Sequence, residues 1–133
     1  MEPLEFGVER KPMGKKVLIV DDSSTFRAQV AGALSEAGFL VVEGVDGYDG
    51  IAKLAENPDI SLVISDVIMP NMTGLEMLET IKAMPQHAGL PFLLLTTEGG
   101  KDMIDRARAA GAKGWLVKPF KSEQIVAAAR KLT

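Results

Sequence analysis

The sequence contains no cysteine, which removes disulfides and thiolate chemistry and fits a reducing cytoplasm as the expected setting. No apolar run approaches the roughly 20 residues needed to span a bilayer. The opening residues 1–14 carry charge throughout and have no apolar core, unlike a secretory signal. No basic cluster is present to neutralise the phosphates of a duplex, and 15 basic against 18 acidic residues give a net charge of −3. Nothing therefore draws the chain toward nucleic acid or anionic lipid. Repeats, low-complexity tracts and internal linkers are also missing. The single histidine, His87, lies between Pro85 and Gly89 and reads as a solvated loop residue, not a ligand or phosphoacceptor.

What remains is a chain of 133 residues, 47% of them hydrophobic, enough for one domain with a real core. Residues 1–14, with Pro3, Gly7, Pro12 and Gly14, read as a flexible lead-in, and residues 15–133 as the folded domain. Lys16 to Val20 is a buried strand that ends in Asp21-Asp22. Ser23-Ser24 start a helix marked by Phe26, Val30, Ala33, Leu34 and Ala37, and Gly38 closes it. Leu40-Val41-Val42 is a second, shorter strand. Asp46-Gly47 turns into a helix with Tyr48, Ile51, Leu54 and Ala55, which Asn57-Pro58-Asp59 ends.

Ile60 to Asp66 is a third strand, apolar enough to be buried on both faces and ending abruptly in a carboxylate. Leu75, Leu78, Ile81 and Met84 outline a third helix stopped by Pro85. Pro91 to Leu95 is a fourth strand ending at Thr96-Thr97-Glu98, after which Gly99-Gly100 break the chain. A helix from Lys101 to Ala110, a strand at Trp115-Leu116-Val117 ending in Lys118-Pro119, and a last helix through Ile125, Val126, Ala129 and Leu132 complete the pattern. Strict alternation of strand and helix predicts an α/β doubly wound five-stranded parallel sheet with five helices and right-handed crossovers.

In such a sheet all carboxyl ends share one edge. With strand order 2-1-3-4-5, the first and third strands are neighbours at the switch point, where ligands bind. Asp21, Asp22, Asp66, Thr96 and Lys118 would then gather on one rim. Two unit charges 4 Å apart repel by about 4 kcal/mol at an effective dielectric near 20, so three carboxylates need a cation or must share protons. Lys118 supplies one charge. Mg²⁺ suits the remainder, because it accepts one or two carboxylates with waters and a phosphate oxygen, whereas Ca²⁺ wants a denser oxygen cage. The metal and Lys118 would neutralise phosphoryl oxygens, the Thr96 hydroxyl would donate, and Asp66 is a carboxylate nucleophile.

The segments Val17 to Ser23, Asp66 with Met69-Pro70 and Gly74, Thr96, and Lys118-Pro119-Phe120 together resemble the receiver domain of two-component response regulators. The likeness covers residues 15–133. Thr96-Thr97-Glu98 with Gly-Trp-Leu-Val-Lys-Pro-Phe at 114–120 is most similar to the chemotaxis, CheY-like branch. The resemblance implies that Asp66 accepts a phosphoryl group from a phosphohistidine on a CheA-like sensor histidine kinase. It implies that Asp22, Asp66 and the backbone carbonyl of Ile68 ligate Mg²⁺, with Asp21 acting largely through water. It also implies that Lys118 contacts the phosphoryl group and that its bond to Pro119 is cis. By the same resemblance Thr96 would be the switch hydroxyl, and Trp115 would stand at the switch aromatic position, more often Tyr or Phe. A partner surface on the fourth helix, fifth strand and fifth helix is implied, with a flagellar motor switch protein or a phosphatase as partner. A stand-alone cytoplasmic monomer is expected, with self-phosphorylation and slow autodephosphorylation as its only chemistry.

Rival functions make different demands. A phosphate sink or phosphorelay intermediate would carry the same residues. An aspartate-nucleophile phosphatase of the haloacid dehalogenase type wants two aspartates separated by one residue and usually a cap insertion, but Asp21 and Asp22 are adjacent. A nucleotide or flavin binder wants a Gly-rich or Ser/Thr-rich phosphate loop after the first strand, where Asp21-Asp22 would repel bare phosphate.

Overall fold

Residues 14–97 and 100–133 are described by the computed structural model. Strands β1 (Lys16–Val20), β2 (Leu40–Gly44), β3 (Ile60–Asp66), β4 (Phe92–Thr96) and β5 (Gly114–Val117) form one sheet. Each is followed by a helix: α1 (Ser24–Glu36), α2 (Gly47–Glu56), α3 (Gly74–Lys82), α4 (Lys101–Ala109) and α5 (Ser122–Leu132). The spatial order is β2-β1-β3-β4-β5 and every pairing is parallel, as the alternating pattern predicts. β1 and β3 are thus neighbours at the reversal of strand order.

The central strands are apolar in both directions because helices cover both faces. Leu18, Val20, Val63, Phe92 and Leu94 pack with Leu54 of α2 and Met77, Leu78 and Ile81 of α3. Their sequence neighbours Val17, Ile19, Leu62, Ile64, Leu93 and Leu95 point the other way, onto Val30 and Leu34 of α1 and Ile125 and Ala129 of α5. One sheet therefore carries two apolar layers. The period-2 alternation of strand side chains assigns each residue to its layer.

Helix ends follow their capping residues. The Ser23 side chain accepts from the Phe26 N–H at the start of α1. Thr73 and Glu76 form a reciprocal capping box at the start of α3. Gly38 and Gly111, at φ 101° and 104°, take the left-handed conformation just after α1 and α4.

Three details differ from the sequence expectation. β2 runs five residues and is as long as β1, because Ile19 and Val20 pair with Glu43 and Gly44 beyond the apolar run. α3 ends at Lys82, so Met84 lies past it, and Pro85 opens a short 3₁₀ turn (Pro85–His87) where only a stop was expected. Of the lead-in assigned to residues 1–14, Gly14 donates its N–H to the Gly38 carbonyl at 3.2 Å, and the rest lies outside the described residues, as do Glu98 and Gly99. Among the described residues no helix is long and apolar enough to cross a membrane.

Candidate functional site

β1 delivers Asp21 to the carboxyl edge of the sheet. Its N–H donates to the Gly44 carbonyl at 3.2 Å, and its Oδ1 accepts from the Ser23 N–H at 2.9 Å. One carboxylate oxygen thereby turns the chain into α1, and the residue is 1% exposed. Asp22, next along, faces solvent. Arg27, one turn into α1, donates through Nη1 to the Asp21 carbonyl and through Nε to Glu43 Oε1 at 2.8 Å. It ties the first turn of α1 to the edge strand.

β3 delivers Asp66. The Val67 N–H donates to the Leu95 carbonyl at 3.0 Å, and the Gly74 N–H donates to the Val67 carbonyl at 2.8 Å. α3 therefore begins against the backbone that carries Asp66. A Cβ at Gly74 would overlap the Asp66 carbonyl oxygen, so glycine is required there by close approach. Asn71, at φ 70°, lets the intervening loop turn and donates from Nδ2 to Asp46 Oδ2 at 3.1 Å. Asp46 also caps α2, so the loops after β2 and β3 are joined.

β5 delivers Lys118. Its N–H donates to the Thr96 carbonyl at 2.7 Å, and the peptide to Pro119 is cis. The Lys118 ammonium stands 3.4 Å from Asp21 Oδ2 and 3.4 Å from Asp66 Oδ2, between the two carboxylates. Carboxylate oxygens of Asp21, Asp22 and Asp66 all lie within 4.8 Å of one another. Burial pushes the Asp66 carboxyl above its ordinary pKa, Lys118 opposes this, and the neighbouring Asp21 adds to it. Three carboxylates against one ammonium form a donor set of hard oxygens that suits a small divalent cation.

The remaining expected residues lie as follows. Thr96 is buried at the end of β4, paired in register with Val117. Ile68 is in the loop two residues past Asp66, with its side chain 66% exposed. Trp115 sits three residues before Lys118 on β5, half-buried against the α2–α3 layer, with the Arg108 guanidinium 5.4 Å above its ring. Thus Asp21, Asp22, Asp66 and Lys118 converge, Thr96 flanks them at the adjacent strand end, and Trp115 belongs to the packed layer below.

Sequence reasoning did not single out Arg27 or assign Phe26 anything beyond core packing. Arg27 carries a faint signal, a cation one turn past a pair of acids. Phe26 carries none, because the Lys118 ammonium reaches its ring only where the loop after β5 returns beside α1.

The family model for the response regulator receiver domain matches residues 17–130. The chain is 39% identical over 106 residues to chemotaxis protein CheY1 of Helicobacter pylori, covering 79% of this chain and 86% of that protein. Its fold is similar to that of chemotaxis protein CheY4 of Vibrio cholerae, with a TM-score of 0.86, 38% identity, and coverage of 90% of this chain and 99% of that one. It is also similar to a Borrelia burgdorferi chain from a CheX–CheY–BeF3–Mg complex, with a TM-score of 0.83, 25% identity, and coverage of 90% and 89%. With strand order, acidic cluster and lysine in agreement with this match across nearly the whole chain, the protein belongs to the response regulator receiver domain family.

Proposed function

We propose that the chain is a phosphorylation switch of the chemotaxis type that accepts a phosphoryl group on Asp66 from a sensor histidine kinase. The observation that carries this reading is the Lys118 ammonium held 3.4 Å from both Asp66 and Asp21, on an edge shared with Asp22. Asp22, Asp66 and the Ile68 carbonyl would hold Mg²⁺, with Asp21 acting largely through water. The ion when bound would offset carboxylate repulsion and polarise the phosphoryl oxygens. The similarity to a chain found with BeF3 and Mg supports the same ligand chemistry here.

The chain's own groups divide the remaining work. The Asp66 carboxylate is the nucleophile, fixed at a strand end so that little motion is lost on attack. Its burial removes solvating water that would otherwise compete. Lys118 neutralises one oxygen of the transferred group, and the buried Thr96 hydroxyl donates to another. In the transfer the phosphorus–nitrogen bond of the phosphohistidine breaks, the bond to Asp66 oxygen forms, and the freed imidazole takes up a proton.

The output is a surface on α4, β5 and α5, read by a flagellar motor switch protein or a phosphatase. Val117 is 47% exposed there, and Lys113 just before β5 and Lys121 just before α5 are exposed as well. Much of the surrounding basic charge is already engaged. Arg106 pairs with Glu79 of α3, Lys101 pairs with Asp105, and Arg108 covers Trp115. Cytoplasmic location and a monomeric receiver at residues 15–133 complete the reading. Acetyl phosphate with Mg²⁺ should add one acid-labile phosphoryl group per chain, and Asp66→Asn should take up none. Equal labelling of the variant would remove Asp66 as the acceptor.

A further inference from the structure

The Lys118 ammonium has a third neighbour besides its two carboxylates. It lies 3.9 Å from the centroid of the Phe26 ring. That is well inside the range over which an aromatic face attracts a cation. Both oxygens, at 3.4 Å, are long for charge-assisted hydrogen bonds, which run about 2.7–2.9 Å. The lysine is therefore not drawn fully onto either acid.

The ring is itself braced. Phe120 meets Phe26 edge-on, with centroids 5.8 Å apart and planes at 80°, a favoured aromatic geometry. Phe120 follows Lys118 by two residues, so one loop brings both the ammonium and the ring that holds its aromatic neighbour. Phe26 lies on the first turn of α1, whose start is set by the Asp21–Ser23 hydrogen bond and the Ser23 cap. The turn that carries Asp21 and the loop that carries Lys118 thus meet at one phenyl ring.

We propose that Phe26 is a positioning residue: its ring holds the Lys118 ammonium midway between Asp21 and Asp66, ready for an oxygen of the incoming phosphoryl group. This rests on the phosphoacceptor reading of Asp66. Without the ring, the flexible four-carbon stem of lysine lets the ammonium close onto buried Asp21, and the cation must be drawn away before it serves the phosphoryl group. A leucine at this position keeps apolar bulk but loses the attraction of the ring face. A tyrosine keeps the face, and a cavity of about 60 Å³ bordered by Phe26, Gln29, Val30 and Phe120 leaves room beside the ring.

The test compares wild type, Phe26→Leu, Phe26→Tyr, Lys118→Gln and the Phe26→Leu/Lys118→Gln double variant. Each is measured by thermal melting, by acetyl phosphate labelling at saturating Mg²⁺, and by NMR of the Lys118 side chain. In wild type the ring face should shift the Lys118 ε-methylene protons upfield. Phe26→Leu should abolish that shift and slow labelling about threefold to tenfold, while Phe26→Tyr keeps both near wild type. In the Lys118→Gln background, Phe26→Leu should slow labelling no further. A merely structural role would slow labelling equally in both backgrounds, in step with the melting temperature, and that result overturns the proposal. So does Phe26→Leu labelling at the wild-type rate. If wild type shows the upfield shift yet takes no label, the phosphoacceptor reading has failed and the positioning role falls with it, whereas labelling without the shift overturns the role of Phe26 alone.

Discussion

Asp66 is placed where its charge is costly. Burial raises its pKa, and the opposing pull of Lys118 is the smaller effect. A carboxyl whose native pKa lies above its unfolded value binds more protons folded than unfolded. Its contribution to stability is therefore present below the unfolded pKa and is lost as pH rises through the native one. At neutral pH without divalent ions, ionised Asp66 weakens the fold. Asp66→Asn should accordingly raise the melting temperature at pH 7 by roughly 3–5 °C, equivalent to about 1 kcal/mol, and the gain should shrink as pH falls through the raised native pKa and vanish once it reaches the ordinary carboxyl range. Melting curves in EDTA between pH 4 and 8 measure this, and a gain that grows toward low pH would contradict it. The residue identities of this cluster were legible in the sequence, because each stands at the end of an apolar run. The phenyl ring against Lys118 and the Arg27 link to Asp21 were not, since both depend on side chains crossing between elements.

Among the elements, α3 shows most plainly how local sequence fixes the site. Gly74 brings the helix start against the carbonyl of Asp66, the neighbouring Thr73–Glu76 box caps it, and Leu75, Met77, Leu78 and Ile81 bury its inner face. Gly74→Ala would set a methyl group into backbone that cannot yield without moving the β3 terminus. We expect a loss of about 1–3 kcal/mol in urea denaturation, the range for overpacking, together with slower acetyl phosphate labelling as Asp66 is displaced. Stability and labelling both unchanged would show that the helix start has room to shift. The order and type of all five strands and five helices followed from periodicity. The ends were less readable: β2 gained length by pairing with β1, and Pro85 started a turn, because tertiary partners and the missing proline N–H decide those positions.

At the scale of the molecule, a single sheet separates two apolar layers, one under α2, α3 and α4, the other under α1 and α5. Neither layer has a second sheet to fall back on, and every central strand contributes to both. The two should therefore unfold together. Leu34, fully buried in the α1–α5 layer, and Trp115, packed against the opposite layer, allow this to be tested in one variant. Leu34→Ala should cost about 2–5 kcal/mol through lost burial and a residual cavity. Because Trp115 is the only tryptophan, its fluorescence reports the distant layer alone, while far-UV circular dichroism reports the whole chain. If the layers are one cooperative unit, both signals should shift to lower urea by the same amount with unchanged slope. A Trp115 transition left at its wild-type midpoint would mean that the α2–α4 side stands without the other. The carboxylates and Lys118, drawn from strands shared by both sides, would then be held together less firmly than their geometry implies.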